Sequence, residues 1–231
     1  MLGYLAAGWG WQFANAFGIS ILAAVSSFFF SMLIGIGLTL FSRAPIPGSR
    51  AIVNSYTYVF RSLPDILLLL LIFYTLDGVF QAALSAFSGG ASIRLSPLVP
   101  AIMSTSIVLG AYATELFKAG WADIPAGQHE AGQALGLTRL QALVLVILPQ
   151  VYSKIIPHLG ALWLISMKET ALLSIIGISD IVRVASIGAR STGAPFVFYG
   201  IGIIIFVVFA AVSARVFKHL ERRSQATAGG I

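Results

Sequence analysis

Long uncharged runs alternate along this chain with short connections that are basic or rich in helix breakers. From Met1 to Ser42 no side chain carries a formal charge, and the first to do so is Arg43. A helix needs about 20 apolar residues to cross the hydrocarbon core of a bilayer, so this stretch alone suffices. Five segments qualify: residues 16–41; 56–80, with Arg61, Asp65 and Asp77; 95–118, uncharged as far as Thr114; 140–176, interrupted by Lys154, Lys168 and Glu169; and 195–214, again uncharged. The runs are continuously apolar, whereas barrel strands alternate lipid-facing and lumen-facing residues. The pattern therefore predicts an all-α membrane protein with five transmembrane helices.

Composition agrees. Of the 231 residues 58 % are hydrophobic and 10 % charged, with a mean hydropathy of +0.94; a soluble domain carries about 25 % charged residues. There is no cysteine, which excludes a disulfide framework, a thiolate nucleophile and a Cys-ligated zinc site. The excess of Lys and Arg, 14 against 8 Asp and Glu, needs no nucleic-acid partner, because membrane proteins retain cations in their cytoplasmic loops. The first apolar run lacks a basic n-region before it and reads as a retained span rather than a signal peptide.

Those cations set an orientation. If the first span enters from outside, Arg43, Arg50, Lys118, Arg139, Arg215, Lys218, Arg222 and Arg223 lie in the cytoplasm, against Arg94, Arg183 and Arg190 outside. Eight against three predicts an external N-terminus and a cytoplasmic C-terminus. Ser96-Pro97 reads as an N-cap followed by proline at the first helical position. Residues 43–48 form a breaker-rich inner turn and Ser88-Gly89-Gly90 an outer one. One membrane domain is expected over residues 1–223, with a disordered tail at 224–231. Trp9, Trp11, Trp121 and Trp163 read as interfacial aromatics, and the three histidines have no metal-ligand spacing.

The inner loop between the third and fourth spans carries the most local information. Pro125 suits a helix start, and Ala131, Ala134 and Leu135 form a small apolar face beside Glu130 and Gln133. Gly136 suits a left-handed helix end, and Thr138 with Gln141 forms a capping box for the next helix. A short helix over about 126–136 is expected along the cytoplasmic surface, held between two spans.

Glu130-Ala131-Gly132, then Gly136, then Val146-Ile147-Leu148-Pro149 resembles the EAA signature of ABC-importer permeases, with Gly132 for the second alanine and Val146 for the isoleucine. The likeness continues over nearly the whole chain to permeases for polar amino acids of the histidine/lysine/arginine and opine type. It is carried by Phe60-Arg-Ser-Leu-Pro-Asp65, Leu71-Ile-Phe-Tyr74, Gly110-Ala-Tyr112, Thr114-Glu115, the run from Lys168 to Gly177, and Leu220-Glu-Arg-Arg223. The resemblance implies a five-helix subunit of a bacterial inner-membrane importer. It also implies a second permease subunit, homologous or identical, two ATPase subunits and a periplasmic solute-binding protein. By the same resemblance Glu130, Ala131, Gly132, Ala134, Leu135 and Gly136 couple to the ATPase. ATP and Mg belong to that partner: the chain has no Walker A loop and binds no cofactor of its own on this reading.

A charge left in lipid at mid-depth costs about 2.5–3.5 kcal/mol on insertion scales, so the acids and Lys168 inside spans should face protein, a cavity or a subunit interface. Asp65, Glu115, Lys168, Glu169, Thr170 and Ser174 are the candidates for the solute path. Three acids against one lysine, leaving Arg61 aside, favour a solute with a cationic side chain or an opine. Structural alternatives stand beside each. Asp65 can cap a helix or pair with Arg61, Glu115 can pair with Lys118, and Lys168 with Glu169 can form an interfacial pair. An ion-coupled carrier or channel without an ATPase is the alternative function; it leaves the Glu130–Pro149 pattern unexplained.

Overall fold

The computed structural model describes residues 8–87, 96–125 and 127–228. Its helices, in chain order, are α1 Gly10–Arg43, α2 Ser49–Ser62, α3 Asp65–Phe87, α4 Leu98–Ala122, α5 Gly127–Ala134, α6 Arg139–Ser174, α7 Ile181–Thr192 and α8 Pro195–Ala228. Five of them, α1, α3, α4, α6 and α8, are long and apolar enough to cross a membrane. The expected outer turn at Ser88-Gly89-Gly90 lies outside the described residues, as do Leu95 and residues 229–231 of the tail. Backbone helix continues through 224–228, part of the segment expected to be disordered.

Two boundaries differ from the hydropathy reading. The second span is α3 alone, because residues 56–62 belong to α2, a separate helix that begins after the left-handed Gly48 (φ 82°). Pro64 is the cause: it crowds the helical conformation of the residue before it, and Leu63 is extended (φ −96°, ψ 151°). The second difference is α7, which hydropathy alone passed over because it is amphipathic rather than apolar. Its buried residues Ile181, Val184, Ala185, Gly188 and Ala189 recur at helical spacing. Asp180 caps it, accepting from the backbone N–H of Val182 (3.3 Å) and Arg183 (2.9 Å).

On α1, small and hydroxylated residues face inward and most large apolar ones outward. The buried face of α1 includes Ala16, Ser20, Ala23, Ala24, Ser27, Ser31, Gly35, Thr39 and Ser42, while Leu22, Val25, Phe29, Phe30 and Leu33 are exposed. Lipid tails are as apolar as leucine, so membrane helices gain by bringing backbones close rather than by hiding large side chains. A Cβ at position 35 would stand 2.7 Å from Ala113 Cβ on α4, whereas one at Gly37 would meet nothing. Of the two glycines, Gly35 makes the close contact. Hydroxyls also join α1 to its neighbours: Thr39 donates to Thr114 O on α4 (3.3 Å), and Ser166 of α6 to Ala24 O (3.0 Å). Trp163 is an exception to the interfacial reading. It is buried edge-on to Phe28 (centroids 5.5 Å) and near Phe209 (6.0 Å).

Candidate coupling helix and solute path

Local chemistry sets α5. Gly136 takes the left-handed conformation (φ 76°) that a side chain would resist. The N–H of Leu137 returns to Gly132 O (3.1 Å) and that of Gly136 to Gln133 O (2.9 Å), the paired bonds that close a helix C-terminus. Thr138 begins the next helix with a complete capping box: its Oγ1 accepts from Gln141 N (3.3 Å), and Gln141 Oε1 accepts from Thr138 N (2.9 Å).

The helix is also seated on α6. Gly132 is buried, and a Cβ there would come 3.1 Å from Ala142 Cβ. Gln150 of α6 donates to Gln128 Oε1 at 3.0 Å. Between these anchors, Pro149 has no N–H to return to Leu145 and its ring would crowd that carbonyl. A single wide turn at Leu143–Ile147, with the Leu148 N–H bonded to Leu143 O, absorbs the misfit without breaking α6. What remains uncovered is the opposite face: Glu130, Ala131, Ala134 and Gly136 are exposed, and Leu135 is 79 % exposed. The expected first residue of this helix, Ala126, lies outside the described residues.

The path candidates fall into two groups. In the first, the Tyr112 phenol of α4 donates to Asp65 Oδ1 at the start of α3 (3.2 Å). Glu169 of α6 lies near enough to both for its charge to act on them. Asp65 does not pair with Arg61 four residues earlier; Pro64 breaks the helix between them. Lys168 is exposed, beside Glu169 in sequence.

In the second group, Glu115 accepts from Lys118 Nζ (2.7 Å) and its other oxygen lies 4.0 Å from Arg61 Nη1. The same Lys118 donates to Asn54 Oδ1 (2.8 Å). A polar cavity of about 590 Å3 opens on this group, lined among others by Asn54, Thr57, Arg61, Tyr112 and Glu115. Thr170 and Ser174 join neither group. Their hydroxyls donate back into their own helix, to Met167 O and Ala171 O, both at 2.8 Å. Asn54, Thr57 and Tyr112 were not among the path candidates; the i,i+3 spacing of Tyr112 and Glu115 on α4 was a signal that could have added Tyr112, whereas Asn54 and Thr57 reach the group only through the packing of α2 on α4.

Comparison with known proteins follows the same lines. The family model described as "Binding-protein-dependent transport system inner membrane component" matches residues 32–225. The nopaline transport system permease protein of Agrobacterium fabrum is 32 % identical over 94 % of this chain and 92 % of its own. The histidine/lysine/arginine/ornithine transport system permease protein of Escherichia coli is 35 % identical over 76 % of each chain. Among solved structures, a crystal structure of an amino acid ABC transporter with histidines superposes with a TM-score of 0.78 at 26 % identity, covering 94 % of this chain and 96 % of that one.

Proposed function

The chain belongs to the family of binding-protein-dependent transport system inner membrane components, and from that premise we propose how this permease subunit does its work. The proposed importer moves polar amino acids with basic side chains, or opines, across a bacterial inner membrane. A periplasmic binding protein delivers the solute, and a second permease subunit completes the path. Two partner ATPases hold the ATP and Mg and carry out the hydrolysis.

The observation that carries this reading is α5. It is locked at its C-terminus, tied to α6 through Gln128 and Gln150, and presents Ala131, Ala134 and Leu135 without cover. A rigid lever with a small apolar face is suited to sit in a groove of a moving partner. ATP binding draws the ATPases together and pulls α5 with them. Because α5 is anchored to α6, the pull reaches the span that carries Glu169, and the path opens outward. Hydrolysis returns it. The proposed orientation places α5 in the cytoplasm, in accord with the basic inner loops.

The solute class rests on charge and on relatives. With Glu115 answered by Lys118 and Arg61, the first group retains two acids, Asp65 and Glu169, against Lys168. A zwitterionic amino acid with one further positive charge balances that excess. The relatives' own solutes are named as nopaline in one case and as histidine, lysine, arginine and ornithine in the other.

The test exploits the lack of cysteine: Leu135→Cys introduces a single thiol. In right-side-out vesicles it should resist a membrane-impermeant maleimide, and in inverted vesicles react with it. In the assembled complex it should cross-link to an ATPase subunit carrying a cysteine in its permease-facing groove. Labelling from the periplasmic side, or no cross-link in an assembly that hydrolyses ATP, would overturn the assignment.

A further inference from the structure

Where α1 and α4 end and α2 begins, cations from three helices surround one cavity. Arg43, the last residue of α1, Arg50 of α2 and Lys118 of α4 line a space of about 340 Å3 together with Ser42 and Asn54. Lys118 is already engaged by Glu115 and Asn54. Arg43 and Arg50 have no carboxylate within 4 Å among the described residues, and they lie near enough for their charges to oppose each other. Both arginines are exposed, so their mutual repulsion is modest, and an anion standing between them would turn it into attraction. Arg43 does not escape by swinging away, because its guanidinium stacks over the Trp121 ring at 4.5 Å.

Trp121 also walls a second cavity of opposite character. This one, about 210 Å3, is apolar and lies between α1, α4 and α6, bounded by Ile36, Leu40, Phe117, Val151 and Ile155. Ile36, Leu40 and Arg43 follow one another at helical spacing on α1. The arginine therefore stands about one turn, roughly 5 Å, beyond the apolar lining. The two cavities meet at the Arg43–Trp121 stack, one lined by charge and the other by hydrocarbon, at the level where two spanning helices end.

We propose that this pair of cavities is a binding site for one anionic phospholipid, its phosphate between Arg43 and Arg50 and an acyl chain along Ile36 and Leu40. The ligands available at that depth in a bilayer are headgroups, and basic pockets between helix ends on the inner side suit anionic ones. A free phosphate shares the headgroup's chemistry, but it would leave the apolar cavity unused. The site adjoins the polar cavity on Glu115, with which it shares Asn54 and Lys118, and shares no residue with the exposed face of α5.

The assembled transporter, with its second permease and ATPase subunits, is purified in mild detergent and its retained phospholipids identified by mass spectrometry. The wild type should keep an anionic phospholipid that inorganic phosphate does not displace. Arg43→Gln/Arg50→Gln should lower its retention several-fold. Leu40→Trp, which fills the apolar cavity and leaves the charges in place, should lower it as well. Equal retention in all three complexes, no selectivity for anionic headgroups, or displacement by inorganic phosphate would overturn the proposal. A second measurement needs no change in the cationic residues. In phosphatidylcholine nanodiscs, nitroxide-labelled phosphatidylglycerol should quench tryptophan fluorescence more than labelled phosphatidylcholine does, and Trp121→Phe should remove the difference. Equal quenching by the two lipids also counts against the site.

Discussion

The surface helix α5 and the acidic group around Tyr112 are built by opposite means. Every bond that shapes α5 and its ends comes from within the stretch between Pro125 and Gln150. The acidic group takes Asp65 from α3, Tyr112 from α4 and Glu169 from α6; even its one direct hydrogen bond joins residues 47 apart. On the proposed mechanism the difference matters for transport. A unit closed by local bonds moves as a body when pulled, whereas a site shared among three helices changes shape whenever those helices shift. Such a pairing suits a machine that must transmit force at one place and alter affinity at another.

The sharpest way to break the comparison is to damage α5 without touching the acids. Gly136→Val forces a β-branched residue into a left-handed backbone, at a cost of about 1–3 kcal/mol, and removes the bonds that close the helix. Glu130→Arg reverses the charge on the exposed face and leaves the fold intact. Both should lower ATP-driven uptake in proteoliposomes by on the order of tenfold or more, the factor that 1.4 kcal/mol represents. ATPase co-purification should fall in step, while insertion into the membrane stays normal. Undiminished co-purification with both variants would show that α5 is not the docking element.

The reverse experiment leaves α5 alone. Glu169→Gln and Asp65→Asn should assemble with ATPase as the wild type does and lower uptake of basic solutes several-fold. Lys168→Ala, which removes the opposing charge, should change the preference among solutes rather than the assembly. Wild-type kinetics in all three would assign these residues a purely structural role.

A third effect lies outside both regions. Burial raises the Asp180 carboxyl from 3.8 to about 6, although its two N-cap hydrogen bonds and Arg183 oppose the rise. The folded state then binds the proton more tightly than the unfolded chain does. The stability that Asp180 contributes is fully present below about pH 4 and is lost as pH rises through about 6, by at most on the order of 3 kcal/mol. Asp180→Asn should flatten the dependence of Tm on pH across that window; an unchanged slope would assign it to other groups. The smallest effect is expected from Gly132→Ala. Its Cβ would sit 3.1 Å from Ala142 Cβ, a contact that a shift of a few tenths of an ångström relieves, so uptake should change less than twofold, under about 0.4 kcal/mol.

These regions were unequally legible in the sequence. For α5, Gly136, Thr138 and Gln141 are direct signals, since their roles depend on neighbours a few residues away. The break at Leu63-Pro64 was equally local, yet the hydropathy reading ran across it because the Tyr56–Phe60 stretch before it joins the apolar run of α3 after it. The helix α7 was written in the spacing of Ile181, Val184, Ala185, Gly188 and Ala189, a period that a search for long apolar runs does not detect. Of the small residues that α1 offers at Ser31, Gly35 and Gly37, the first two lie on its buried face and Gly37 is exposed; the rest of that face was masked by the large apolar residues that alternate with it and face outward.

By itself the sequence determined that this chain has five helices able to span a membrane, and where α5 ends and α6 begins, because each of those features depends on the transfer of a contiguous run into hydrocarbon or on hydrogen bonds between near neighbours. Only the tertiary structure decided that Tyr112 bonds to Asp65, that Arg61 turns to Glu115, and that Arg43 stacks on Trp121 beside Arg50. Those partnerships depend on how α1, α2, α3 and α4 pack side by side, and packing is set by close contacts summed over whole helix faces. No short stretch of sequence contains that sum.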